Sequence, residues 1–340
     1  MDNLKLWENF FTELKVSEKN KVIYLDYVSL LLRNKAPVIF EFEHLSKLIG
    51  IVTNTFTNIV NSPHSFYRKF YIAKRKGGKR EILSPYPLLQ TAQKWILLNI
   101  LENIKLHDSC YGFVKRRSIL DNARQHVGNK ELLTIDINDF FGSIEQRRVI
   151  SVFKCLGYTN KVSYYLSSIC CLDGKLPQGA CTSPALSNII SKRLDYRLTG
   201  LANKVGLTYT RYADDMAFSG EHVPRNLVKA IKIILISEGF SINNEKTKLK
   251  VEKSKKIITG LSISTDIVRV PKTYKRELRK DIHYVLNYGL ANHLRFKNDF
   301  DPAYIYRLLG RVNFLLNIEP ENEFGITAKK RLLEKFSNYM

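Results

Sequence analysis

Two adjacent carboxylates, Asp214 and Asp215, follow Tyr212 and Ala213 between two stretches of alternating residues, Leu207 to Arg211 and Met216 to Gly220. Alternation on both sides of a short interruption predicts a strand, a tight turn and a second strand, with both acids at the tip. Like charges forced together at a turn repel, and the arrangement becomes favourable when a hard cation such as magnesium takes their oxygens. An isolated Asp-Asp pair is more often a solvated turn, so the pair gains meaning only from other residues.

One such residue lies upstream, in Leu132-Leu133-Thr134-Ile135-Asp136-Ile137, where Asp136 interrupts an apolar run of strand type. Burying a carboxylate unpaired is costly, so Asp136 is expected to emerge at a strand edge or to bind something. Carboxylates from separate strands holding two metal ions about 3.5–4 Å apart form a clamp for in-line phosphoryl transfer. Asp136, Asp214 and Asp215 can supply that clamp. A strand-end acid and a turn acid can face one pocket, which favours Asp136 and Asp214. Successive strand residues point to opposite faces, so Asp215 joins them only through the turn geometry.

The charge balance narrows the partner. Fifty-four Lys and Arg stand against 32 Asp and Glu, a formal charge of +22 in a chain that is 44% hydrophobic. That excess is beyond what solubility needs and suggests a polyanion. Arg68, Lys69, Lys74, Arg75, Lys76, Lys79 and Arg80 form an acid-free cluster around Gly77-Gly78. From Lys246 to Lys297, 14 Lys and Arg meet 4 acids with Tyr274, Tyr284 and Tyr288 interleaved, a mixture suited to phosphates and stacked bases. No apolar stretch approaches the length of a membrane-spanning helix, and the N-terminus lacks the form of a secretory signal, so a cytoplasmic protein without a membrane partner is expected. Five cysteines, odd in number and without zinc spacing, read as reduced thiols.

At 340 residues the length prior is about two domains. Residues 1–60 read as helical, with Leu25, Val28, Leu31 and Leu32 at helical spacing. Tyr67 to Leu83 reads as two short strands joined at Gly77-Gly78. Helices are expected over 88–101, 147–156, 183–198 and 223–238, the third with Pro184 in its first turn and the last stopping at Gly239. From Pro271 the pattern is helical again. Antiparallel strands mixed with helices, then a helical tail, describe an α+β core with an appended bundle.

In order along the chain, these segments resemble the motifs of reverse transcriptases: Asp136-Ile137-Asn138-Asp139-Phe140-Phe141, Leu176-Pro177-Gln178-Gly179 with Ser183-Pro184, Tyr212-Ala213-Asp214-Asp215, Gly239 to Asn243 with Lys246-Thr247, and Thr259-Gly260-Leu261. Asn122-Ala123-Arg124-Gln125-His126 and Ile258-Thr259-Gly260 resemble two elements of bacterial retron reverse transcriptases, the second with Ile in place of the usual Val. The resemblance implies a right-hand polymerase with fingers at 61–130, a palm with an antiparallel sheet at 131–265 (part of the fingers interleaved) and a helical thumb at 266–340, behind a helical region at 1–60. It implies an RNA-directed DNA polymerase that uses two Mg2+ ions, with Mn2+ as a substitute, and deoxynucleotide triphosphates. It further implies a cognate noncoding RNA as template and primer, synthesis from the 2′-hydroxyl of a guanosine, a branched RNA–DNA product, and an effector protein in antiphage defence.

The same resemblance distributes roles. The carbonyl of Ile137 completes the metal shell. Phe141 resembles the aromatic gate against a 2′-hydroxyl, although by composition alone Phe140 and Phe141 are both core residues. Gln178, in a turn that Gly179 opens to close approach, resembles the contact near the incoming sugar. Lys79 and above all Arg80 face the triphosphate, where arginine can fork onto phosphate oxygens. Lys246 resembles the palm lysine near that triphosphate. Thr259 and Gly260 resemble the hairpin that holds the primer end. Asn122 and His126, four apart, share a face if helical, either as an RNA contact or as a local brace. Tyr274 to Tyr288 forms a thumb helix whose Lys275, Arg276, Arg279 and Lys280 make a basic face, with Arg276 and Lys280 the expected RNA contacts. Competing expectations are another palm-type polymerase, from an intron or a defence system, and an RNA-binding scaffold that restrains an effector.

Overall fold

The computed structural model describes residues 2–73 and 77–336. Lys74, Arg75 and Lys76, expected to add only general attraction for a nucleic-acid backbone, lie outside the described residues. Four helices open the chain: α1 (Asp2–Glu13), α2 (Glu18–Arg33), α3 (Phe42–Ile49) and α4 (Thr53–Asn61). Val28 and Leu31 of α2 are fully buried, with Leu25 and Leu32 packed at their flanks, as the helical spacing requires. Phe11, Val28, Leu45 and Phe56 join the same hydrophobic core as Leu133 and Phe218. The N-terminal helices therefore have no separate core.

A two-stranded hairpin follows, β1 (Tyr67–Ala73) antiparallel to β2 (Lys79–Pro85), in register from Tyr67↔Pro85 to Ala73↔Lys79. Next come α5 (Pro87–Asn99) and the short α6 (Ile119–Arg124), whose start is fixed by a capping box between Ser118 and Asp121. The central strand β3 (Glu131–Asn138) leads to α7 (Gln146–Cys155), α8 (Asn160–Cys170), α9 (Ser183–Ile190) and α10 (Lys192–Lys204). The single helix expected over 183–198 is thus two helices that meet at Ser191. Then come β4 (Thr208–Tyr212), β5 (Asp215–Gly220), α11 (Leu227–Ser237) and β6 (Ser241–Lys250). Helix α11 starts at Leu227, later than expected: Pro224 disfavours helical conformation at Val223, and a turn at residues 225–226 precedes the helix.

The four long strands form one antiparallel sheet in the order β4-β5-β3-β6. Side-chain parity along β3 explains its sequence. Leu133, Ile135 and Ile137 enter the main core, while Leu132 faces the other way and packs with Ala123, Ala217, Ile258 and Leu261. Asp136 shares the parity of Leu132, at the end of β3 where that smaller cluster stops. A strand that would otherwise bury a carboxylate on the core face therefore turns it toward a cleft.

A miniature hairpin, β7 (Ile257–Ile258) and β8 (Leu261–Ser262), crosses at Thr259 and Gly260, both with positive φ (46° and 85°). Four helices complete the chain: α12 (Lys272–Tyr288), α13 (Leu290–Lys297), α14 (Tyr304–Ile318) and α15 (Glu323–Phe336). They bury Leu278, Ile282, Leu308, Val312 and Leu332 in a core of their own, and Phe314 and Ile318 also touch the cluster beneath the hairpin. Fingers, an antiparallel palm and a helical thumb make this a right-hand polymerase fold. Among the described residues no helix is long and apolar enough to cross a membrane, and all five cysteines are free.

Candidate active site

The turn between β4 and β5 consists of Ala213 and Asp214, with Tyr212 and Asp215 paired across it. Ala213 adopts φ +57°, a left-handed conformation that a residue with a Cβ adopts at a cost and keeps only when its surroundings hold it. Three contacts do so. The N–H of Ile137 on β3 donates to the Asp214 carbonyl at 3.0 Å. The guanidinium of Arg211 donates through Nη1 to the Ala213 carbonyl at 3.1 Å. Gly112 passes so close beneath that a Cβ there would collide with the Ala213 backbone.

Arg211 belongs to a buried network that no spacing argument in the sequence exposed. Its Nε and Nη2 fork onto the Asp195 carboxylate at 2.7 and 2.6 Å, and both side chains are 0% exposed. Nη1 also reaches Asn188 Oδ1 at 3.0 Å, Nη2 lies 3.4 Å from Cys110 Sγ, and Tyr209 Oη donates to Asp195 at 2.9 Å. Burial works against the charge on Arg211, but the Asp195 carboxylate more than offsets it and holds the guanidinium above its usual value. The one sequence signal for it is an arginine at the same strand parity as buried Tyr209.

Asp136 stands directly across the ladder from Asp215, so these two acids share one face of the sheet, with Asp214 at the adjoining turn. Desolvation, followed by the charge of Asp136, pushes the Asp214 carboxyl up. Asp215 as a residue stays exposed at the head of β5, and partial desolvation of its carboxyl with the charges of Asp214 and Asp136 pushes it up to about 6. The Nζ of Lys246, on the edge strand β6, lies 2.9 Å from both carboxylate oxygens of Asp136. That hydrogen-bonded pairing raises the ammonium above its usual value.

Asp136, Ile137, Asp214, Lys246, Phe141, Gln178, Lys79 and Arg80 all line one cavity of about 670 Å³. Asp215 heads β5 beside it and does not line it. The cavity joins the hairpin to the palm through one close approach. Leu83 N–H donates to the Gln178 carbonyl at 2.8 Å, and a Cβ on Gly179 (φ +133°) would sit 2.6 Å from the Leu83 carbonyl oxygen. Phe140 is buried, whereas Phe141 is half-buried at the cavity wall. Both rings border the cavity and both pack on the main core, with Phe141 the more exposed of the two.

The acid set fits a hard divalent cation: its donors are oxygens, Asp214 and Asp215 are both pushed up by neighbouring carboxylates, and a lysine ammonium already bridges the two oxygens of Asp136. Among the described residues no three His, Cys, Asp or Glu side chains are grouped closely enough to hold a metal as they stand.

Of the two readings of Asn122 and His126, the structure removes the RNA contact. Helix α6 ends at Arg124, so Asn122 and His126 do not share a helix face, and both side chains are buried, at 1% and 0% exposure. His126 bonds Ser219 Oγ at 2.6 Å and Thr210 Oγ1 at 2.7 Å, tying β4 to β5, and burial lowers it to about 4. His126 is thus an internal brace, whereas the buried Asn122 leaves its Oδ1 without a hydrogen-bond partner among the described residues, and neither side chain offers a surface to RNA. Thr259 is half-buried and Gly260 exposed at the hairpin tip. Gly260 and Lys280 border a second cavity, of about 860 Å³, between the hairpin and α12. Arg276 and Lys280 are exposed on α12.

Comparison with known proteins agrees with this geometry. A family model for reverse transcriptase (RNA-dependent DNA polymerase) matches residues 72–270. The chain is 38% identical to the retron Ec86 reverse transcriptase of Escherichia coli over 254 residues, covering 73% of this chain and 79% of that protein. It is 35% identical to the retron Mx162 reverse transcriptase of Myxococcus xanthus over 252 residues, 64% of this chain and about half (52%) of that longer protein. A telomerase from Candida albicans, solved with a TWJ fragment of telomeric RNA, superposes with a TM-score of 0.44 at 11% identity over 80% of this chain and 63% of that one, a likeness too slight to bear on function.

Proposed function

Since the chain belongs to the reverse transcriptase family, and within it to the bacterial retron enzymes, we propose that this RNA-directed DNA polymerase copies a cognate structured noncoding RNA into single-stranded DNA. The DNA starts from a 2′-hydroxyl of that RNA and stays joined to it as a branch, and the complex acts with an effector protein in cytoplasmic antiphage defence. One cavity supports this reading, because acids from β3 and the β4–β5 turn, an aromatic wall and two fingers cations meet in it.

Asp136, Asp214, Asp215 and the Ile137 carbonyl would hold two Mg2+ ions, which when bound stabilise charge on the attacking and leaving oxygens. Arg80 and Lys79 approach from the hairpin to neutralise the triphosphate, Arg80 through its fork. Phe141 fills the space a ribose 2′-hydroxyl would need, and Gln178 sits where a turn backbone closes on the sugar. Lys246 supplies a further cation to the phosphates. Thr259 and Gly260 steady the primer end, while Arg276 and Lys280 meet the RNA backbone. An A-form duplex hides its bases in a deep, narrow groove, so recognition there rests on shape and on unpaired loop bases.

The test is to purify the protein from cells, digest with ribonuclease and look for a short DNA carrying covalently attached RNA nucleotides. The Asp214→Asn, Asp215→Asn protein should bring down RNA without that DNA. RNA without DNA in the wild-type preparation would instead favour a scaffold that restrains an effector.

A further inference from the structure

The cation bound to Asp136 has a consequence for how the site loads. Asp136 is only 8% exposed in its side chain, and Lys246 Nζ spans both of its oxygens at 2.9 Å. A carboxylate this buried must be paired, and Lys246 is the ion-pair partner found for it among the described residues. A divalent ion on Asp136 needs those same oxygens, and it would repel an ammonium held against them. The two cations therefore exclude each other.

Lys246 is well placed to leave. Its side chain is 52% exposed, and its strand β6 is an edge of the sheet with no partner on the outer side among the described residues. The ladder between β3 and β6 is irregular between Thr134 and Asp136, next to the pair itself. Released, the ammonium remains in the cavity that Lys79 and Arg80 line from the hairpin, so its next partner is an anion entering there.

We propose that Lys246 is an exchangeable cation that competes with the divalent metal for Asp136 and, once displaced, transfers to the phosphates of the incoming nucleotide. The proposal rests on the metal reading of the three acids. Linkage makes the exchange reciprocal: metal on Asp136 frees Lys246 for phosphate, and phosphate holding Lys246 away strengthens metal binding. The lysine thus prevents an unpaired buried charge before loading and couples the two ligands during it.

Mn2+ binding by the full-length protein without nucleotide, followed by the electron paramagnetic resonance of free Mn2+, tests this directly. Lys246→Gln keeps a hydrogen-bond donor for Asp136 but removes the charge, Lys246→Met removes both, and Lys246→Arg keeps the cation. Gln and Met should bind Mn2+ about tenfold more tightly than wild type, within the usual range of coupling between sites, while Arg stays near wild type. The Asp136→Asn change should abolish the gain in the Lys246→Gln background. Equal or weaker Mn2+ binding by both neutral variants, with thermal unfolding showing them folded, overturns the exchange and leaves the metal site standing. No protein-dependent Mn2+ binding in folded wild type or in either neutral variant overturns the metal reading, and the exchange with it.

Discussion

Replacing Arg211 with Met should cost more in catalysis than in folding, and the structure lets the two be separated. The substitution strips Asp195 of the fork at 2.7 and 2.6 Å and leaves a fully buried carboxylate with only the Tyr209 hydroxyl, 2.9 Å away. Breaking one side of a buried ion pair costs about 3–5 kcal/mol, because the remaining charge is uncompensated. For a chain of this size that corresponds to a fall in melting temperature of roughly 4–7 °C. Asp195→Leu should cost a similar amount, since it strands the guanidinium. The double variant Arg211→Met, Asp195→Leu removes both charges and should recover most of the loss, as replacements of buried pairs by apolar residues often do. Activity should not recover with it. The Ala213 carbonyl is then without its donor at 3.1 Å, the left-handed turn is held only by Ile137 and by packing on Gly112, and Asp214 loses its fixed position. Thermal unfolding beside primer extension per folded molecule reads both quantities. Single variants that melt within a degree of wild type, or a double variant that regains stability and activity together, would refute this account of the turn.

Three further outcomes follow from the same geometry. Phe141→Val or Ala opens the cavity wall and should raise ribonucleotide incorporation relative to deoxyribonucleotide; unchanged sugar discrimination would return Phe141 to the core beside Phe140. Reversing Arg276 and Lys280 to Glu should weaken RNA binding and reduce the slope of log affinity against log salt by about 0.7 for each single-strand phosphate that is no longer neutralised, and a slope like that of wild type would remove α12 from the interface. Asp215 has its carboxyl pushed up to about 6 from an ordinary value of 3.8, so the folded state holds this proton more tightly than the unfolded state does. Its contribution to stability is favourable in acid and is lost as pH rises from about 4 through 6. In chelator, Asp215→Asn should therefore melt higher than wild type at pH 7 and level with it at pH 4, and a mutant that is less stable at pH 7 would reverse the sign.

The parts of this molecule that the sequence exposed are those in which a period or a turn encodes direction. Alternation on either side of Ala213 and Asp214 gave the hairpin, and the apolar run ending at Asp136 gave the strand that meets it, because side-chain parity is local information. Parity alone left Asp215 in doubt; the antiparallel register that sets it opposite Asp136 is a relation between strands and has no local signature. Strand β6 escaped for a different reason. Its sequence, Ser241 to Lys250, is polar and mostly exposed or half-exposed, as an edge strand can be when charged side chains discourage pairing with other chains. The Asn122 to His126 spacing misled because a four-residue interval implies a shared face only while the helix lasts, and α6 ends after six residues. Arg211, Asp195, Asn188 and Cys110 are brought together by folding from positions as far as 101 residues apart, beyond any window of periodicity. These omissions have a common physical origin. A site that gathers several acids needs cations and donors to hold them, and this protein draws those from distant segments: a guanidinium beneath the turn, and the ammonium of Lys246, legible as a site residue but not as the partner of Asp136. The acids at the centre could be read one strand at a time, whereas the groups that hold them are defined only by the fold.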